Sequence, residues 1–268
     1  MSSRAQFNSP EAIERRLREG RGQGVGPHYI PWIQIYDFPS WGLRFRAYSH
    51  IPQRAMHTLS MLEHHNVALA EDEDGIEDLQ ENVPLLNTQK SQDIASDNNI
   101  KHPRASKTCP LVMSTDLRLT IRTNGEVHYK IWTTKYTDEL RKWRTQEKLL
   151  IDEIYWSTEP RTTWELKTEA NLPFEFLENM KWLRVMLRPG ALFGIATSDV
   201  ILVEKTMRPA VLREDSSLME LAHWCDSHLG LDPGDSQLVV RYLLAARIWR
   251  TNLRKLINPL HPLILRLQ

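Results

Sequence analysis

Only two cysteines, Cys109 and Cys225, occur in 268 residues, and they stand too far apart for a zinc-ligand or redox spacing. Structural disulfides are therefore not expected. No apolar run approaches the ~18–20 residues that a bilayer-spanning helix needs, and the opening MSSRAQFNSPEAIERR carries no apolar segment for a secretory signal. A cytoplasmic protein without membrane association is the expectation. Neither sign of charge is in excess, with Lys plus Arg and Asp plus Glu at 34 each, so the total points to no polyanionic partner. The glycine-rich run GRGQGVG (20–26) lacks a Lys-Ser/Thr ending and a preceding strand, which argues against a phosphate-binding loop and for a flexible basic connector. His64 and His65 follow Glu63 without the HExxH spacing of a zinc hydrolase. No internal repeat or low-complexity tract is present.

The remaining composition, 41% hydrophobic and 25% charged, is that of a chain able to bury a core. Its charge is unevenly placed. Residues 14–21, ERRLREGR, are strongly basic, and residues 71–78, EDEDGIED, strongly acidic. The acidic run fails as a calcium-binding loop, because Gly75 at the turn position puts Ala70, which cannot ligate, at the first; it reads as a solvated loop. Local basic patches can still bind nucleic acid at zero net charge, since salt screens charges beyond about 8–10 Å.

Ser9-Pro10 predicts an N-cap and first turn of a helix ending near Glu19. Met56, Leu59, Leu62 and Leu69 have near-helical spacing between Ala55 and Ala70, with Glu63 one turn beyond Leu59. Residues 87–105 are polar and read as a long loop. From Thr115 the period changes to two: Leu117, Leu119 and Ile121 alternate with polar residues, Asn124-Gly125 supplies a tight turn, and Val127, Tyr129 and Ile131 return. A helix is expected from about Asp138 to Trp156 with Thr137 as N-cap and Trp143 and Trp156 in the core, then a strand at Thr162–Leu166. Beyond a boundary near Lys167 the texture is helical. Leu218, Leu221, Ala222 and Cys225 form a stripe, GLDPG breaks it, a helix runs from about Ser236 to Arg247, and Ile248–Leu253 could be a strand. Helix, turn, helix and strand suggest a winged-helix-like module. The expected organisation is thus an α/β domain, residues 1–167, and a mostly helical domain, residues 168–268.

With Asn124-Gly125 as the turn, Asp116 falls opposite Thr133, and Lys135 lies two residues further on the same face. Diagonal neighbours in a sheet are roughly 7–8 Å apart, within reach of a lysine stem. Glu63, from the preceding helix, could complete the group. Carboxylates holding Mg²⁺ beside a lysine are what phosphodiester hydrolysis needs, because the cation polarises the phosphate and acidifies bound water while the lysine meets developing negative charge or helps deprotonate water. A glutamate on a helix, then an aspartate, then x-x-Lys matches the PD-(D/E)xK nuclease pattern; the alternative is solvated strand charges. The register favours Lys135 over Lys130, which falls on the opposite face.

Longer segments carry a resemblance. RRLREGRGQGVGPHYIPW from Arg15 to Trp32, Tyr48-Ser49-His50, LSMLE ending at Glu63, DLQENVPLL from Asp78, IKHP from Ile100 and VMSTD ending at Asp116 together resemble the TnsA family, the endonuclease subunit of heteromeric cut-and-paste transposases. The likeness spans about residues 10–160; the last hundred resemble the family in size and helical character. It implies a PD-(D/E)xK catalytic domain followed by a winged-helix-like domain. It implies Mg²⁺-dependent cleavage, with Mn²⁺ able to substitute, at the 5′ ends of a transposon. The implied partners are transposon-end DNA, a TnsB-like transposase that cuts and joins the 3′ ends, and a TnsC-like AAA+ ATPase docking largely on the C-terminal domain. The implied location is the bacterial cytoplasm, at the nucleoid during activity. By position the catalytic residues carry over to Glu63, Asp116 and Lys135, and the metal ligands to Glu63, Asp116 and Thr133. Thr133 departs from the family pattern, which has Gln or Glu there, so a backbone carbonyl at that position would have to help.

Arg15, Arg16, Arg18 and Arg21 could track DNA phosphates or form a solvated helix face, and Lys101 and His102 within IKHP could approach DNA or be ordinary loop residues. Arg241, Arg247, Arg250 and Arg254 could read DNA as in helix-turn-helix modules or dock a partner protein, which the resemblance favours.

Overall fold

The computed structural model describes residues 9–37, 43–49, 51–104, 109–187, 190–192 and 194–266; His50 and Ala105 lie outside these. The chain divides into two compact units, Met1–Asn171 and Leu172–Gln268. The first extends past Lys167 because the Lys167 carbonyl takes the Lys135 N–H at 3.0 Å and Glu169 accepts the Thr137 N–H at 2.9 Å.

In the first unit, α1 (Pro10–Arg18) starts at Ser9, whose hydroxyl accepts from Ala12 N, with Pro10 in the first turn where a missing N–H costs nothing. The hairpin β1 (Phe45–Ser49) and β2 (Arg54–Thr58) precedes α2 (Met61–Ala70). The continuous helix expected from Ala55 is thus a strand and a shorter helix. Ser60 breaks the chain between them, its hydroxyl capping Glu63 N at 3.1 Å. A four-stranded sheet has the order β3 (Ile76–Pro84), β4 (Ser114–Thr123), β5 (Glu126–Thr134), β6 (Thr162–Lys167). The first two pairings are antiparallel and the last is parallel.

The expected loop after residue 87 contains α3 (Thr88–Asp97), capped by Asn87. It buries only Ser91, Ile94 and Ala95, too little apolar surface to print a helical period on the sequence. The helix expected from Asp138 begins instead as a 3₁₀ turn, Thr137–Arg141, and α4 runs Trp143–Ser157. Trp143, expected in the core, is 74% exposed at the first position of α4, whereas Trp156 is buried. Tyr29, Val83, Leu85, Ile131, Ile151 and Tyr155 form the core between the sheet and its helices.

The glycine run is not a flexible connector. Gly24 (φ +88°) accepts a hydrogen bond from Gln80 Nε2 at 3.0 Å, Gly26 N donates to Asp78 at 3.1 Å, and a Cβ on Gly24 would stand 2.4 Å from the His28 carbonyl oxygen. The acidic run is likewise more than a solvated loop: Glu71 and Asp78 are buried, Ser49 donates to Glu71, and Glu73 binds Lys130 at 2.7 Å.

The second unit contains α5 (Phe174–Arg184), α6 (Thr197–Val211), α7 (Leu218–Leu229) and α8 (Asp235–Ala245). A Ser217–Glu220 capping box opens α7, and left-handed Gly230 ends it. Its stripe Leu218, Leu221, Ala222 and Cys225 is buried, and Asp226 accepts the Ser236 N–H at 2.8 Å as α8 begins. The described residues of this unit contain no strand. Ile248–Leu253, expected as one, is irregular: Trp249 and Leu253 are buried, and Asn179 Nδ2 donates to the Leu253 carbonyl at 2.9 Å. The winged-helix expectation therefore loses its wing. No helix among the described residues is long and apolar enough to cross a membrane.

Candidate active site

The β4–β5 ladder has the register set by Asn124-Gly125, running from Thr123–Glu126 to Leu117–Trp132. Beyond that pair the ladder breaks. In a continuous register Thr115 would pair with Thr134 and point away from Thr133, yet the Thr115 and Thr133 hydroxyls both donate to Asp152 on α4. In β3, between the pairs Glu81–Leu117 and Val83–Thr115, Asn82 adopts φ +51°, gives its carbonyl to Trp32 N at 3.2 Å and its side-chain amide to the His57 carbonyl at 2.9 Å. Asparagine is among the few residues that take a left-handed conformation at small cost. The Asp116 carboxylate receives the Thr134 N–H at 2.6 Å.

Lys135 follows the last residue of β5. Its ammonium donates to the Thr134 carbonyl at 2.6 Å and stands 3.4 Å from Asp116 Oδ2. Asp116, and secondarily Glu63, push the Lys135 pKa above its ordinary value against the opposing effect of burial. The lysine stays protonated at neutral pH and is suited to charge stabilisation rather than to proton abstraction. Lys130 is elsewhere, bound to Glu73.

Glu63 lies in the first turn of α2 and closes its own cap, accepting from Leu59 N at 2.7 Å and Ser60 Oγ at 3.0 Å. Burial, and then the negative charge of Asp116, raise its carboxyl to about 7. One turn along α2, the buried Asn66 donates to Thr134 Oγ1 at 3.4 Å, tying the helix to the end of β5. Glu63, Asp116 and Lys135 are thus brought together from a helix and two strand ends.

Thr133 is not. Its hydroxyl is committed to Asp152, and Trp164 Nε1 donates to it at 3.2 Å; the carbonyl beside the aspartate–lysine pair is that of Thr134. A metal contact at Thr133 would therefore use its backbone carbonyl rather than its hydroxyl. Glu63, Asp116 and the Thr134 carbonyl offer hard oxygen donors, the set that suits Mg²⁺ or Mn²⁺, and Mg²⁺ commonly keeps several waters when so few protein ligands are present. Among the described residues no three His, Cys, Asp or Glu side chains are grouped closely enough to hold a metal by themselves.

Sequence reasoning missed Asp152 and Glu139. Asp152 is buried on α4 and accepts from Thr115, Thr133 and Trp164, the last at 3.0 Å; burial raises its pKa while these bonds oppose the rise. An aspartate in a helix pattern gives no sequence signal of this, although Asp152 between Ile151 and Ile154 near an apolar face was a trace. Glu139 sits on the 3₁₀ turn after β5, close enough to Lys135 to raise its pKa slightly.

The remaining candidates are spread out. Arg16 is fully buried with its guanidinium 4.5 Å from the Trp32 ring centroid, and Arg21 is tied to Asp37 at 2.7 Å, so neither presents a phosphate-tracking group; Arg15 and Arg18 are exposed. Lys101 is exposed, whereas His102 is half-buried, between Ser91 Oγ at 3.0 Å and the Pro103 carbonyl at 2.8 Å. In the second unit Arg241 donates to the Trp182 carbonyl at 2.7 Å and stacks on that ring, which makes it a packing residue; Arg247 and Arg250 are half-buried and Arg254 is exposed.

No protein-family model matches the chain. Over 248 residues it is 31% identical to the transposon Tn7 transposition protein TnsA of Escherichia coli, the alignment covering 91% of this chain and 86% of that protein.

Proposed function

The chain belongs to the TnsA family, and from that premise we propose that it is the Mg²⁺-dependent endonuclease of a cut-and-paste transposition complex, cleaving the 5′ ends of the transposon. The observation that carries this reading is the convergence of Glu63, Asp116 and Lys135, with Lys135 Nζ 3.4 Å from Asp116 Oδ2 and Glu63 close enough to Asp116 for its pKa to be raised. Bound Mg²⁺ would supply a polarised phosphate and an acidified water. Asp116, Glu63 and the Thr134 carbonyl would hold it. Lys135, kept charged by its acidic neighbours, would stabilise the negative charge that develops on the phosphate oxygens.

Transposon-end DNA, a TnsB-like transposase and a TnsC-like ATPase are the partners this reading requires. Arg15, Arg18 and Lys101 are the exposed candidates for phosphate contacts, and Arg254 on the helical second unit is a candidate for partner docking. The place of action would be the bacterial cytoplasm.

A second reading, a scaffold whose cutting site has decayed, is favoured by one observation: Thr133 turns its hydroxyl to Asp152 and leaves only two carboxylates for the metal. Cleavage of a labelled transposon-end duplex in Mg²⁺, with the partner transposase added, separates the two. The nuclease reading expects cutting of the 5′ strand by the wild type and at least a hundredfold less by Asp116→Ala and Lys135→Ala. Equal products from all three, or none while the partner cuts its own strand, would favour the scaffold.

A further inference from the structure

A half-open cavity of about 410 Å³ adjoins Lys135. Trp32, Val112, Met113 and Leu149 give it apolar walls, and Lys135, Glu139 and Lys148 give it a polar edge. The walls are fixed: Leu85 N donates to the Met113 carbonyl at 2.8 Å, Leu111 N to the Pro103 carbonyl at 2.9 Å, and Trp32 is wholly buried with its backbone N–H on the Asn82 carbonyl. Glu139 is held by its turn, its N–H on the Tyr136 carbonyl at 2.9 Å and its own carbonyl taking Lys142 N at 3.1 Å. Its carboxylate makes no hydrogen bond to a described residue.

We propose that this cavity receives an unstacked nucleobase, that of a nucleotide flanking the phosphate held at Lys135. The inference rests on the nuclease reading and adds a base-binding subsite to it. Lys135 belongs both to the catalytic group and to the cavity edge, so a phosphate that reaches its ammonium leaves the next nucleotide at the cavity mouth. The size is within the range of pockets that enclose a small ligand and exceeds what one base fills. The apolar side chains of Val112, Met113 and Leu149 can pack against the faces of a flat ring. Lys135, at the cavity edge, suits the phosphate beside that base. Glu139, an acceptor with its oxygens uncommitted, suits an exocyclic amino group, so adenine, cytosine or guanine should enter in preference to thymine. Extruding a base from a duplex has a cost, but proteins that bind the extruded base in a fitted pocket offset it.

The test places 2-aminopurine singly at each nucleotide beside the cleaved bond of a transposon-end duplex. The complex is assembled with the full chain and the partner transposase, with Ca²⁺ in place of Mg²⁺ to hold the DNA uncut. One position should brighten severalfold on binding. Met113→Trp, which fills the cavity, should abolish the rise and slow cleavage at least tenfold in Mg²⁺, while Met113→Leu, of similar volume, should keep both. Glu139→Gln, altering a half-exposed side chain, should narrow the cleavage preference for an amino-bearing base over thymine at that nucleotide. No brightening at any position while the wild type cuts the same duplex would overturn the proposal, as would a full rise in a folded Met113→Trp. Absence of cutting by the wild type in Mg²⁺ beside an active partner would instead overturn the nuclease reading, and the subsite with it.

Discussion

Thr133 donates its hydroxyl to the buried carboxylate of Asp152, and through that bond the end of β5 is anchored to α4. The other oxygen of Asp152 takes the Thr115 hydroxyl. One carboxylate therefore fixes the residue before Asp116 and the residue two before Lys135, and it does so from a helix that contributes no group to the catalytic trio.

Replacing Asp152 should accordingly disturb both stability and catalysis. Asp152→Ala strands the two threonine hydroxyl donors in the interior and leaves Trp164 Nε1 only its longer bond to Thr133, and unsatisfied buried groups cost about 1–3 kcal/mol each when left unrelaxed. A destabilisation of roughly 2–4 kcal/mol in urea unfolding is expected, together with slower cleavage at temperatures where the variant is still folded. A stability equal to that of the wild type would mean the three bonds contribute nothing.

Glu63 makes stability fall as pH rises. Its folded pKa, about 7, lies above the ~4.3 of an unfolded glutamate. The folded state therefore holds the proton more tightly, so the contribution is favourable at low pH and is lost between those two values. Glu63→Gln keeps an acceptor for Leu59 N and removes the charge. In chelator it should match the wild type near pH 4 and exceed it at pH 8 by roughly 1–3 kcal/mol. Parallel urea-midpoint curves for the two proteins from pH 4 to 8 would contradict this.

A divalent cation should relieve the same repulsion. At pH 8, Mg²⁺ at tenfold to a hundredfold over its Kd should stabilise the wild type by about 1.4–2.7 kcal/mol, read as a rise in Tm. Asp116→Ala should show little of it. An equal rise in both proteins would place the cation elsewhere.

The N-terminal arginines should separate into two classes. Arg15→Ala and Arg18→Ala should weaken DNA binding and flatten its salt dependence by roughly 0.9 in slope for each phosphate left without its arginine. Arg16→Ala should act on stability, because that side chain is buried against Trp32. A change in salt slope for Arg16→Ala at unchanged stability would contradict the assignment.

The sequence made the β4–β5 register legible from Thr123–Glu126 to Leu117–Trp132 because a two-residue Asn-Gly turn and strict alternation leave few ways to pair the strands. Glu63 was legible as a carboxylate on a helix, although its place in the first turn was not. Trp143 was misread because an aromatic at helical spacing looks like core until the helix is known to begin at that residue. α3 was invisible because a helix that buries three small or medium side chains has almost no period to detect.

What the sequence determined by itself is therefore local: the turn at Asn124-Gly125, the Ser9 cap and the glycine stop of α7. These depend on neighbours within a few positions, or on a register that one tight turn transmits. Tertiary structure alone decided that Asn82 would take a left-handed conformation, that the Thr133 hydroxyl would serve Asp152, and that Arg16 would be buried. Each of these turns on partners from distant segments, Trp32 and His57 for Asn82, α4 for Thr133, Trp32 for Arg16, and no period or propensity along the chain encodes which distant groups will meet.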